Sequence, residues 1–132
     1  MIKTPSSHTK IIVASSCFAL ILLALGVFCC HYRYYSPTAV SAYYEEFSLY
    51  KPIHIPNDDP IPAVTAHYPS WAFRKLEGMT YEEIHDRFGE PHALAGSGVI
   101  RDIFFTTDGY LISIRYDQDI VCLVKKIILP RV

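Results

Sequence analysis

From Ile11 to Cys30 the chain carries no charged residue, and nowhere later does an apolar run of that length recur. A helix of about 20 residues rises about 30 Å, the thickness of a bilayer's hydrocarbon core. Residues 11–30 therefore predict a transmembrane helix, apolar all the way round. Ser15 and Ser16 can bond back to the helix backbone, and Gly26 is tolerated in such a helix. Lys3 and Lys10 precede the segment and only Arg33 follows it closely, so the positive-inside bias puts residues 1–10 in the cytoplasm and residues 31–132 outside. The competing reading is a cleaved signal peptide, with Ala24-Leu25-Gly26 as its small-x-small site. Against it, the apolar run continues through Val27 and Phe28 to Cys30, past the usual signal core of about 7–15 residues. Both readings export the same domain. Cys29 and Cys30 are expected to pack in lipid or to join two chains by a disulfide.

Beyond the helix the pattern changes twice before it becomes regular. Tyr32, Tyr34, Tyr35, Tyr43, Tyr44 and Tyr50 are six of the ten tyrosines. Residues 31–50 thus read as a juxtamembrane segment, Tyr32 to Tyr35 forming an interfacial belt and Thr38 to Tyr50 a short helix packed on lipid or on its own domain. Pro52, Pro56, Pro60, Pro62 and Pro69 then punctuate residues 51–69, which are expected to form a stiff extended linker.

Residues 70–132 carry the regular periods. Ser70 is placed to cap a short helix from Trp71 to Leu76, stopped by Gly78. Thr80 and Glu83 form a capping box, and Met79 and Ile84 the accompanying hydrophobic staple. Tyr81, Ile84, His85 and Phe88 then share one helical face, and Gly89 with Pro91 ends that helix. After Gly96-Ser97-Gly98 the period falls to two. Val99–Thr106, Tyr110–Tyr116 and Ile120–Leu129 read as strands, joined by a hairpin turn at Thr107-Asp108-Gly109 and another at Asp117-Gln118-Asp119. The expectation is an α+β domain: two short helices packed on a three-stranded antiparallel meander.

Composition refines this picture in one respect. The whole chain has a formal net charge of −1, but residues 31–132 hold 10 Lys/Arg and 13 Asp/Glu, a net −3. That balance argues against nucleic acid as a partner, since phosphate binding needs a cationic excess.

The run Gly78-Met79-Thr80 to Ile84, then Gly89-Glu90-Pro91, then Gly96-Ser97-Gly98, resembles the SmpA/OmlA (BamE-like) small domain of exported bacterial proteins. The same layout is similar to the repeat unit of β-lactamase inhibitory protein. The resemblance covers about residues 72–129 and implies a non-enzymatic module that binds partner proteins or scaffolds assemblies in the cell envelope. The chain differs in carrying no lipidation cysteine and one copy of the unit.

Candidate chemistry is sparse. Phe104, Phe105, Tyr110 and Tyr116 supply aromatic area on the sheet, and aromatic patches concentrate interface energy. They are the expected binding residues for an envelope or secreted protein. The alternative is a thiol hydrolase pairing Cys122 with His85 or His92, because a thiolate needs a nearby base. A third reading is a structural subunit of a membrane complex, held there by residues 11–30. His85 and His92 have no zinc-like spacing to other ligands, and neither a metal nor a cofactor is expected.

Overall fold

The computed structural model describes residues 6–131, with the side chains of residues 25–31 left aside. The proposed pairing of Cys29 and Cys30 lies outside the described residues. The chain divides into two units, Met1–His31 and Tyr32–Val132.

The first unit is a single helix, α1 (Ser7–His31). Its stretch Ser7–Ala24 is long and apolar enough to cross a membrane, and none of it is buried. It begins before the charge-free run because Ser6 Oγ accepts from the Thr9 amide at 3.4 Å and caps the first turn.

The second unit is α+β, and its sheet is larger than the sequence pattern implies. Strands β4 (Arg101–Phe105), β5 (Tyr110–Asp117) and β6 (Ile120–Ile128) form the meander. A further strand, β3 (Ala93–Ala95), pairs antiparallel with β4, giving the order β3-β4-β5-β6. The expected count of three strands is therefore corrected to four, with a separate two-stranded ribbon of β1 (Arg33–Tyr35) and β2 (Val64–Ala66). β3 is short and buried at every position, so it shows no alternation to read. The Gln118-Asp119 turn has positive φ at both residues, the hand that fits a two-residue hairpin.

Each sheet face has its own core. On one, Phe73, Leu76 and Ile84 meet Phe104, Ile112, Ile114 and Val121. Ile84 comes from α3 (Tyr81–Phe88), where Thr80 Oγ1 accepts from the Glu83 amide at 3.1 Å and Glu83 accepts from the Thr80 amide at 3.2 Å. Phe73 comes from a single 3-10 turn, Ser70–Phe73, rather than an α-helix to Leu76. Ser70 does not cap it: its hydroxyl donates to Asp108 in the hairpin turn at 2.5 Å, tying the turn to the sheet.

The other face holds the larger surprise. Tyr35, Val40, Tyr43, Tyr44, Val64 and Ala66 cover Ala93, Ala95, Ile103, Phe105 and Leu111. Tyr35 and the helix after it are thus a layer of the domain, the second of the two packings expected for residues 38–50, while Tyr32 and Tyr34 stay exposed. That helix, α2 (Pro37–Glu46), starts at Ser36, whose Oγ accepts from the Ala39 amide at 3.2 Å, with Pro37 in the first turn. Burying tyrosines requires partners for their hydroxyls. Tyr35, Tyr43 and Tyr44 donate to the carbonyls of Thr106, Pro130 and His92 at 2.6, 2.8 and 2.9 Å.

Residues 51–69 are not an extended spacer either. Lys51 Nζ donates to the carbonyls of Pro56, Asn57 and Asp59, folding the proline-rich stretch around one ammonium. Val64–Ala66 then returns as β2 against β1.

The two sheet edges are finished differently. Along β3, Tyr50 exchanges both backbone bonds with Leu94, each at 2.9 Å. The start of β6 is closed by the segment before α3: the Gly78 amide donates to the Val121 carbonyl at 2.9 Å, and the Val121 amide to the Met79 carbonyl at 2.8 Å. From Leu123 to Ile128 the outer edge carries no backbone partner among the described residues.

Candidate functional site

The four aromatic residues expected to form a binding patch do not form one. Successive strand residues point to opposite faces, so Phe104 and Phe105 enter different cores, and they are 2 % and 1 % exposed. Phe104 packs on Phe73 with centroids 5.4 Å apart, and Phe105 on Tyr35 at 5.4 Å. Tyr110 lies under Lys126 Nζ, 4.0 Å from its ring centre, and Tyr116 spends its hydroxyl on Asp102. The expectation of an exposed aromatic surface assumed one covering layer where the domain has two.

Nor does the structure bring Cys122 to a histidine. Cys122 is the extra residue where β6 slips register between Arg115 and Tyr116, and its Sγ donates to the Arg115 carbonyl at 3.5 Å. His85 Nε2 lies 3.1 Å from Asp102 Oδ2, and its Nδ1 is 3.7 Å from Glu90. His92 Nδ1 accepts from the Phe105 amide at 2.9 Å. Burial, with the nearby His67 adding to it, pushes His92 down to about 4, so it stays the neutral acceptor that this bond requires. Among the described residues no group of three or more His, Cys, Asp or Glu is placed to hold a metal ion.

Asp102 anchors a polar cluster beneath α3. Its Oδ2 accepts from Tyr116 at 2.9 Å as well as bonding to His85. The Tyr81 ring lies 3.9 Å from the His85 ring and meets Tyr116 edge-on at 5.1 Å. Burial first, and then the Asp102 carboxylate, raise the pKa of both Tyr116 and Tyr81, which keeps both hydroxyls protonated. Every group here is engaged by another.

The reverse holds on the opposite face, beyond the part that α2 covers. Arg101, Ser113, Arg115, Leu123 and Lys125 line a groove of about 380 Å³, walled by the loop through Gly96, Ser97 and Val99. Register puts Arg101 directly opposite Arg115, and Ser113 directly opposite Lys125. Arg101, Arg115 and Lys125 make no ion pair among the described residues, where every carboxylate contact of that kind involves a histidine. Ser113 is 4 % exposed as a residue; its hydroxyl makes no hydrogen bond among the described residues and, since no fully buried polar side-chain atom there is unpartnered, it opens onto the groove it lines. The wall depends on Gly96, whose φ is +101° and whose place would put any Cβ 2.2 Å from the Val99 carbonyl oxygen. The result is a cationic, hydroxyl-lined recess suited to an anionic group. Counting outward from the Thr107-Asp108-Gly109 hairpin would have placed Arg101 opposite Arg115, but not the loop that makes their face a recess.

No protein-family model matches the sequence, and neither a curated protein nor a solved structure matches it.

Proposed function

We propose that the protein is a single-pass, membrane-anchored binding module of the cell envelope that holds an anionic part of another protein in the groove of Arg101, Arg115 and Lys125. In this reading α1 is the uncleaved anchor, residues 1–10 are cytoplasmic, and the Tyr32–Val132 unit is extracytoplasmic and non-enzymatic. The resemblance to SmpA/OmlA domains implies the same class of role, the binding of a partner protein.

One observation carries the proposal: two arginines face each other across β4 and β5 and neither pairs with an acid among the described residues. Like charges directly opposite on an antiparallel pair destabilise it. An anion seated between them reverses that sign, and arginine's planar fork suits a carboxylate or phosphate held at two points. The Ser113 hydroxyl, which makes no hydrogen bond among the described residues, adds a neutral donor to the lining.

The test uses the full chain in detergent micelles and a fluorescent peptide alternating Glu and Thr. Saturable binding that weakens as salt rises is expected, because exposed charge contacts are screened over about 8–10 Å at ordinary ionic strength. Arg115→Glu should weaken it by at least about tenfold, as reversing a charge at a complementary surface does. Binding indifferent to both salt and Arg115→Glu would overturn the reading.

A further inference from the structure

We infer that the partner is an acidic segment in extended conformation, which adds to the sheet as a fifth strand along the outer edge of β6 and lays its acidic side chains toward the groove. This rests on the function proposed above and specifies what the groove takes.

The geometry of the edge supports it. β3 and the first residues of β6 have their outer backbone groups paired by Tyr50 and by Gly78–Met79, whereas Leu123–Ile128 leaves its outer groups unpaired among the described residues. A strand of that length spans about 20 Å at about 3.3 Å per residue, enough to align a short peptide. The groove opens on the same strand. Leu123 and Lys125 of β6 line it, one directly opposite Arg115 and the other directly opposite Ser113. An added strand would set every second side chain on that face, beside Lys125 with Arg115 behind it. Glu or Asp at those alternate positions meets the cations, while the peptide backbone completes the edge.

Charge selects among occupants. A second copy of the chain pairing β6 with β6 would bring Lys125 and Lys126 against the same lysines, a standard means of keeping an edge from pairing with itself. The lysines that repel another β6 attract an acidic strand, so the edge is closed to one partner and open to the other.

The experiment compares the Glu/Thr peptide with the same peptide N-methylated at alternate residues, on the edge that would face β6. N-methylation keeps charge and side chains but removes the donors a strand needs. With the full chain in micelles, at least tenfold weaker binding of the methylated peptide is expected. Slowed hydrogen exchange at β6 amides between Leu123 and Ile128 is expected only with the unmodified peptide. Equal binding of both peptides, still sensitive to Arg115→Glu, would overturn strand addition while leaving the anion groove standing. No binding of either peptide would overturn both.

Discussion

Arg101 and Asp102 are neighbours in β4, yet each belongs to a different kind of polar cluster because alternation sends them to opposite faces. Asp102 is 4 % exposed and meets His85 and Tyr116, while Arg101 meets Arg115 and no acid among the described residues. The first cluster is closed: its charge, its donors and its covering ring account for one another. The second is open, with its cations held together by register and its hydroxyl unclaimed among the described residues. A closed cluster contributes to the fold, and breaking it should cost stability. An open one costs the fold something already, and disturbing it should cost binding instead.

Breaking the closed cluster gives the largest expected effect. Asp102→Ala strands the Tyr116 hydroxyl and His85 Nε2 in a buried site and should destabilise the Tyr32–Val132 unit by about 3–5 kcal/mol, the usual cost of removing one partner of a buried polar pair. Asp102→Asn keeps an acceptor oxygen and should cost clearly less. Denaturant unfolding followed by near-ultraviolet circular dichroism, which reports the packed tyrosines, separates the two variants. Acidic-peptide binding by the folded fraction should be unchanged in both. An Asp102→Ala protein as stable as the original would show the cluster to be incidental.

His92 extends the contrast, since its site is closed only in the neutral state. Its folded pKa, near 4, lies below the ordinary value of 6.5, so between those pH values the unfolded chain binds more protons than the folded one. Stability is therefore complete above about pH 6.5 and falls as the pH drops toward about 4, by roughly 3 kcal/mol in all. His92→Gln can still accept from the Phe105 amide through its side-chain oxygen but cannot titrate. It should flatten that part of the pH–stability curve, and an unchanged slope would assign the acid sensitivity to other groups.

How far these sites can be read from sequence follows from how local each one is. The Thr80–Glu83 box, the Gly89 stop and both hairpin turns are written within a few residues, and the β4-β5-β6 meander follows from a period of two. What lies on the far face is not local. The tyrosines of residues 32–50 look interfacial because they follow an apolar run, and only carbonyl partners more than 40 residues away for the hydroxyls of Tyr35, Tyr43 and Tyr44 make those three core. Prolines at five positions imply an extended chain, but Lys51 gathers the intervening carbonyls into a loop. Misplacing that layer leaves Phe105 uncovered on paper. It also hides the groove, which is simply the part of the face the layer does not reach.

The open cluster yields the smallest change in stability and the sharpest test of the comparison. Arg115 is exposed and pairs with no acid among the described residues, so Arg115→Thr removes a like-charge contact with Arg101 without removing any ion pair. Threonine also favours a pleated strand. The substituted protein should be unchanged or more stable by about 0.2–1 kcal/mol, the usual scale for cross-strand pairs. Its affinity for the acidic peptide should nevertheless fall. A loss of stability on that substitution would mean that Arg115 serves the fold, and the groove would then be a closed site whose partner lies among its own residues. A gain accompanied by weaker binding is the pattern of a charge kept for a ligand at the fold's expense, and Asp102→Ala should show the opposite pattern in the same two measurements.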